Sequence, residues 1–160
     1  SAERLPQSWI DKLEESSTFN EGHATTSYMA AAILDLAWHS LSSDEVVSDV
    51  EKFEAKAIES YGLAYDCVPT RYRSTYFSHI FAGGYSAGYY GYIWAEVFDA
   101  DTGEWFKENG GLNRKNGDHL RGTLMSKGGS IDSLEMFRNF RGRDAVIEPL
   151  LKRRGLVSNA

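Results

Sequence analysis

The chain holds one cysteine, Cys67, only three prolines and no apolar run of membrane length. A single thiol cannot close an internal disulfide, which fits a reducing cytoplasm and leaves no thiolate cluster for a metal. A spanning helix needs ~20 consecutive apolar residues, so no membrane partner is expected. Basic residues are outnumbered, 17 Lys and Arg against 23 Asp and Glu, for a net charge of −6. Phosphate backbones require a basic face, so no nucleic-acid partner is expected either. The run Lys152-Arg153-Arg154 is too short to reverse that balance and reads as positive charge favouring a helix C-terminus. The four histidines, His23, His39, His79 and His119, lack metal-ligand spacing: no two lie four residues apart and none precedes a glutamate.

What is present is ordinary for a globular protein, with 42% hydrophobic and 25% charged residues. Its 160 residues suit one domain, able to bury roughly 70% of the unfolded chain's surface. No segment alternates apolar and polar residues over strand length, so the fold class is all-α, a single helical domain over residues 1–160. Pro6 opens a first helix to Glu15, and Thr25 or Thr26 caps a second over Ser27–Leu41. Ser42-Ser43-Asp44-Glu45 is a capping-box pattern for a third, Asp44–Tyr61, closed by Gly62. Residues 62–73 form an extended connection, with Val68 held out of the helical region by Pro69. Further helices are expected over Ser74–Phe81, Tyr85–Ala100, from Asn113 to Ser126 and from Ser130 to Phe140, with a last turn from Pro149 to Gly155.

The most informative stretch runs from His79 to Trp94 and carries one histidine, four tyrosines and four glycines. Glycine inside a helix costs about 1 kcal/mol relative to alanine, so four here imply close backbone approach or a break. On an ideal helix Tyr85, Tyr89, Tyr92, Glu96 and Asp99 share one stripe, while Tyr90, Trp94 and Val97 face the core. Gly83-Gly84 folds His79 back over the start of that helix. Phenols and imidazole donate hydrogen bonds to a carbonyl or a developing oxyanion, so the stretch suits a wall that grips a peptide backbone. The same pattern also serves close helix packing with locally satisfied hydroxyls. Arg73 has two uses, pairing a substrate carboxylate or forming a structural ion pair.

The pattern His-x-x-x-Gly-Gly-Tyr-x-Ala-Gly-Tyr-Tyr-Gly-Tyr-x-Trp resembles the C-terminal substrate-binding segment of the thimet-oligopeptidase (M3) zinc peptidases, nearest their bacterial peptidyl-dipeptidase branch. Phe19-Asn20-Glu21-Gly22, Ala30–His39, Val68–Ser74 and Arg153–Leu156 agree with it, so the likeness spans nearly the whole chain. The resemblance implies the multi-helix C-terminal portion of a zincin-like catalytic domain. It also implies His79 and Tyr85 as catalytic groups that polarise the scissile carbonyl, with Tyr92, Gly83 and Gly84 on the substrate backbone. Family members bind zinc through His-Glu-x-x-His, which is absent here. The resemblance therefore implies a fragment of an enzyme that hydrolyses short peptides, with zinc held by an upstream part of the same polypeptide; the single cysteine adds the expectation of a cytoplasmic location. No metal is bound by this chain, which is inactive alone and prone to self-association through its uncovered face. The competing class is a non-catalytic helical module that binds a partner through the Tyr/Gly face.

Two motifs read as decoys. Gly84-Tyr85-Ser86-Ala87-Gly88 matches a hydrolase nucleophile elbow, but that elbow needs a preceding strand over a parallel sheet. Asp99-Ala100-Asp101-Thr102-Gly103 begins like a calcium loop, yet its twelfth position is Gly110 rather than glutamate.

Overall fold

The computed structural model describes residues 4–157. The fold is all-α: eight α-helices and no β-strand among the described residues, the nearest approach being one isolated bridge, Tyr65 to Val68. The chain divides into two units, residues 1–92 and 93–160.

The first unit is built on α1 (Gln7–Ser16), α2 (Glu21–His39), α3 (Val50–Ser60) and the single-turn α4 (Ser78–Phe81). Its spine is α2, whose buried face is Tyr28, Ala30, Ala31, Ala32, Leu34 and Asp35. Alanine is the best helix former and has the shortest side chain that still excludes water, so this face admits neighbours closely. The helix begins at Glu21, six residues before the expected start at Ser27. Thr25 does not cap it but donates its hydroxyl to Glu21 Oε1 at 3.0 Å.

The third helix starts late. Ser42 donates from both N–H and Oγ to Glu45 Oε2, at 2.8 and 3.0 Å, so half the capping box forms without a helix following it. Asp49 is the working cap, accepting from Lys52 N–H at 3.0 Å. Local side-chain bonds of the Ser and Asp kind offer the backbone an alternative to helix, and the first such turn won here. Residues 62–73 contain turns and no helix. The expected helix from Ser74 splits at Phe77 into a 3₁₀ turn, Ser74–Tyr76, and α4.

The long helix α5 (Gly91–Glu108) has Gly91 and Tyr92 in the first unit and its remainder in the second. It starts six residues later than Tyr85 and runs through the expected stop at Asp101-Thr102-Gly103. Asp101 explains the overrun. Its buried carboxylate accepts from Arg141 Nε at 2.8 Å, from Arg143 Nη1 at 2.6 Å and from the Val146 N–H at 3.1 Å. Those bonds tie the helix to later segments and outweigh the ~1 kcal/mol helix cost of Gly103.

The second unit continues with α6 (Arg114–Leu120), capped by Asn113, and runs into a π-helical turn, Arg121–Met125. α7 (Ser133–Arg141) is capped by Asp132, not by Ser130, and ends at Gly142 with φ +83°. α8 (Glu148–Arg153) carries Pro149 in its first turn. Ala100, Met136, Phe137, Phe140 and Leu150 form the core. Arg153 and Arg154, expected at a helix C-terminus, pair with Asp99 and Glu96 of α5, each at 2.6 Å.

Candidate peptide-binding tyrosine cluster

Residues 82–90 are the irregular segment between α4 and α5, and two glycines shape it. A Cβ at Gly83 would stand 2.9 Å from the His79 carbonyl oxygen and 3.0 Å from His79 Cα, so only glycine fits. Gly84 follows at φ +78°, in left-handed backbone. The reversal lets Tyr85 N–H donate to the His79 carbonyl at 3.1 Å. Ser86 Oγ donates to the Ile80 carbonyl at 2.6 Å. That serine hydroxyl is occupied and follows no strand, so it has neither feature of a nucleophile elbow.

This local fold brings the expected residues together. The His79 ring lies 6.1 Å from the Tyr85 ring and 5.6 Å from the Tyr89 ring, centre to centre. Tyr85 and Tyr92 stack at 5.2 Å with 25° between their planes, and Tyr89 meets Tyr92 nearly edge-on at 5.3 Å. Tyr85 and Tyr92 are 42% and 41% exposed and His79 is half-buried, so all three side chains reach the surface. Tyr89 is instead 3% exposed, stacked on Tyr28 at 5.3 Å.

The shared stripe expected for Tyr85, Tyr89 and Tyr92 is thus corrected. Tyr85 and Tyr89 precede the helix, Tyr89 is the packing residue, and Tyr90, assigned to the core, is exposed. Trp94 is likewise 60% exposed rather than core. Glycines at 83, 84, 88 and 91 end helical periodicity there, so a wheel drawn through residue 85 assigns the wrong faces.

The electrostatics follow the packing. A hydrogen bond to Tyr85 pushes the Tyr92 phenol up to about 12, with burial adding a smaller upward push. Burial raises the Tyr89 phenol, with the charge of Arg71 acting in the opposite sense. Tyr92 therefore remains a protonated donor at neutral pH, the state that can grip a carbonyl oxygen.

Arg73 faces Glu54. Its Nε pairs with Glu54 Oε1, and the other Glu54 oxygen accepts from Ser74 N–H and Oγ at 2.8 and 2.9 Å. Trp38 Nε1 donates to the same Ser74 hydroxyl at 2.9 Å. Of the two uses open to Arg73, the ion pair is the one formed. Two contributors to the cluster escaped sequence reasoning, Tyr72 and Asp35. The Tyr72 ring lies 5.0 Å from His79 and 4.9 Å from Phe77. Asp35 binds the tyrosine segment from α2. A lone acid within the apolar run Ala30–Ala37 was the available signal for it.

Among the described residues no three His, Cys, Asp or Glu side chains converge to hold a metal ion. His119 is occupied elsewhere: it stacks on Trp105 at 5.0 Å, and its Nε2 lies 2.9 Å from the Phe140 carbonyl. A zinc site therefore does not fit this chain's described residues. No helix among them is long and apolar enough to cross a membrane.

With that geometry in place, comparison assigns the class: residues 1–156 match the family model of peptidase family M3, and the chain belongs to that family. It is 41% identical over 152 residues to the dipeptidyl carboxypeptidase of Escherichia coli, covering 95% of this chain and 22% of that protein. The Salmonella typhimurium dipeptidyl carboxypeptidase is 40% identical over 98% of this chain, and Haemophilus influenzae oligopeptidase A is 31% identical over the same share. The chain spans less than a quarter of these relatives, 22–23% of their length.

Proposed function

We propose that this chain is the C-terminal substrate-binding part of a zinc-dependent peptidyl-dipeptidase or oligopeptidase that hydrolyses short peptides in the cytoplasm. The observation that carries the reading is the half-exposed cluster of His79, Tyr85 and Tyr92, three donors gathered by one glycine reversal. Membership of a peptidase family supplies the substrate class.

His79 and Tyr85 act on the scissile carbonyl, donating hydrogen bonds that strengthen as negative charge builds on its oxygen. Tyr92 holds the substrate backbone and, stacked on the Tyr85 ring at 5.2 Å, braces that phenol. Gly83 and Gly84 form the reversal and let main-chain donors approach the peptide. The attacking group comes from elsewhere: these residues polarise a carbonyl and offer no nucleophile. The metal belongs to an upstream part of the same polypeptide, since the described residues here do not fit it.

Alone, the chain is catalytically silent and self-associates. The second unit supports this with an apolar groove of about 690 Å³, lined by Trp94, Phe98, Leu124, Met125 and Phe137 among others. The test is a quenched-fluorescent peptide assay on the full-length polypeptide and on this chain. Cleavage by the full-length form, abolished by chelator, with none by the chain alone, supports the reading. Cleavage by the chain alone contradicts it.

A further inference from the structure

Asp35 sits on α2 among alanines and leucines and is fully buried. Its Oδ1 accepts from the Ala87 N–H at 2.9 Å and its Oδ2 from the Tyr89 N–H at 2.8 Å. His39, one helical turn along, places Nδ1 2.8 Å from the same Oδ1 and 2.9 Å from the Asp35 carbonyl oxygen. Burying a carboxylate costs several kcal/mol unless each oxygen is bonded. α2 itself needs no acid there, because a leucine would complete the same apolar face.

Both backbone donors lie inside the tyrosine segment. Ala87 is held at φ +53°, one of two non-glycine residues in left-handed backbone among those described. Strained backbone of this kind persists where its surroundings over-determine it. The surroundings here are on α2, because Tyr28 also donates its hydroxyl to the Tyr89 carbonyl at 2.7 Å. Both polar groups of the Tyr89 backbone are thus tied to one rigid helix, with Tyr85 two residues before Ala87 and Tyr92 three after Tyr89.

We propose that Asp35, braced by His39, is a positioning residue that fixes the 85–92 segment so that Tyr85 presents its hydroxyl to the scissile carbonyl. This rests on the carbonyl-gripping role given to Tyr85 above. Asp35 touches no substrate; it acts through the Ala87 and Tyr89 backbone.

The experiment is a double-mutant cycle in the full-length peptidase: Asp35→Asn, Tyr85→Phe and the pair. Asparagine keeps the shape but turns an NH₂ toward one of the two backbone donors. A 1 Å misplacement in an active site can cost ~10²-fold, so Asp35→Asn is expected to lower kcat by about 10- to 100-fold with KM nearly unchanged. The pair should be no slower than Tyr85→Phe alone, because the phenol that Asp35 positions is already gone. Wild-type kcat in Asp35→Asn, or a pair slowed by the product of the single losses, would overturn the proposal.

If Asp35→Asn fails to fold, His39→Gln keeps both backbone bonds and should show a smaller loss that vanishes in the Tyr85→Phe background. A loss of equal size in both backgrounds overturns the proposal as well. Full turnover by Tyr85→Phe would instead sink the functional reading. Positioning is then read without activity, by NMR of isotope-labelled Tyr85 and Tyr92 rings: Asp35→Asn should part their 5.2 Å stack and shift both sets of ring signals. Unmoved ring signals refute it.

Discussion

Replacing Gly83 by alanine tests whether the double-glycine reversal is a steric requirement or a tolerated loop. The added Cβ would stand 2.9 Å from the His79 carbonyl oxygen, 3.0 Å from His79 Cα and 3.3 Å from the Ser78 carbonyl oxygen. All three are backbone atoms of α4, so no side chain can swing aside. The nearest contact falls about 0.5 Å short of ordinary van der Waals separation. Overpacking of this kind costs about 1–3 kcal/mol. For a chain of this length that corresponds to a fall of ~2–12 °C in melting temperature. Relief must come by moving residue 83 away from His79, which breaks the Tyr85 N–H bond to the His79 carbonyl and parts Tyr85 from Tyr92. Two neighbours serve as controls. Gly84→Ala meets open space but keeps φ +78°, so strain of ~1–2 kcal/mol is expected. Gly91→Ala meets nothing and has no left-handed backbone, so it should be neutral or stabilising by up to ~1 kcal/mol. The assay is thermal unfolding of the three variants followed by near-ultraviolet circular dichroism, which reports tyrosine environments. A Gly83→Ala protein as stable as Gly91→Ala, with unaltered tyrosine signals, refutes the steric argument.

Tyr85→Phe should return the Tyr92 phenol from about 12 toward its ordinary 10, since the largest upward influence is the bond to Tyr85; ultraviolet difference titration reads this. Asp101 makes a pH prediction for the second unit. Burial pushes its carboxyl up, but bonds from Arg143, Arg141 and the Val146 N–H prevail and hold it below the usual carboxylate range. A lowered folded-state value contributes stability above the unfolded pKa of ~3.9, and that stability is lost as pH falls through the folded value. Urea midpoints should therefore drop below about pH 4. Asp101→Asn takes the buried carboxylate from Arg141 and Arg143, while Arg141 keeps its two bonds to Glu108, so it should cost ~1–3 kcal/mol at neutral pH and progressively less as acid is added. A cost that does not change with pH would refute the assignment.

The helical class was legible because no run alternates over strand length, and the His79–Trp94 cluster because phenols, imidazole and glycines crowd into so short a stretch. Boundaries were less legible where a tertiary bond outweighed a local signal. Asp101 looked like part of a helix-ending turn and is the anchor that carries α5 onward. Ser42 looked like a cap and closes an isolated turn instead. Tyr90 left its expected core position because the segment before Gly91 is not helical, so a 3.6-residue period did not apply, whereas Tyr89 packs as a structural residue. Asp35 was missed because its meaning lies 52 and 54 residues away, in the N–H groups of Ala87 and Tyr89. A single apolar-looking helix cannot show that its one acid is answering a loop elsewhere.

The central claim is that a phenol beside the glycine reversal stabilises charge on a peptide carbonyl. Steady-state kinetics of Tyr85→Phe in the full-length enzyme test it most directly. A fall in kcat of ~10²–10³ with KM nearly unchanged is expected for loss of one preorganised donor. Unaltered kcat would contradict the account, and so would a rise confined to KM.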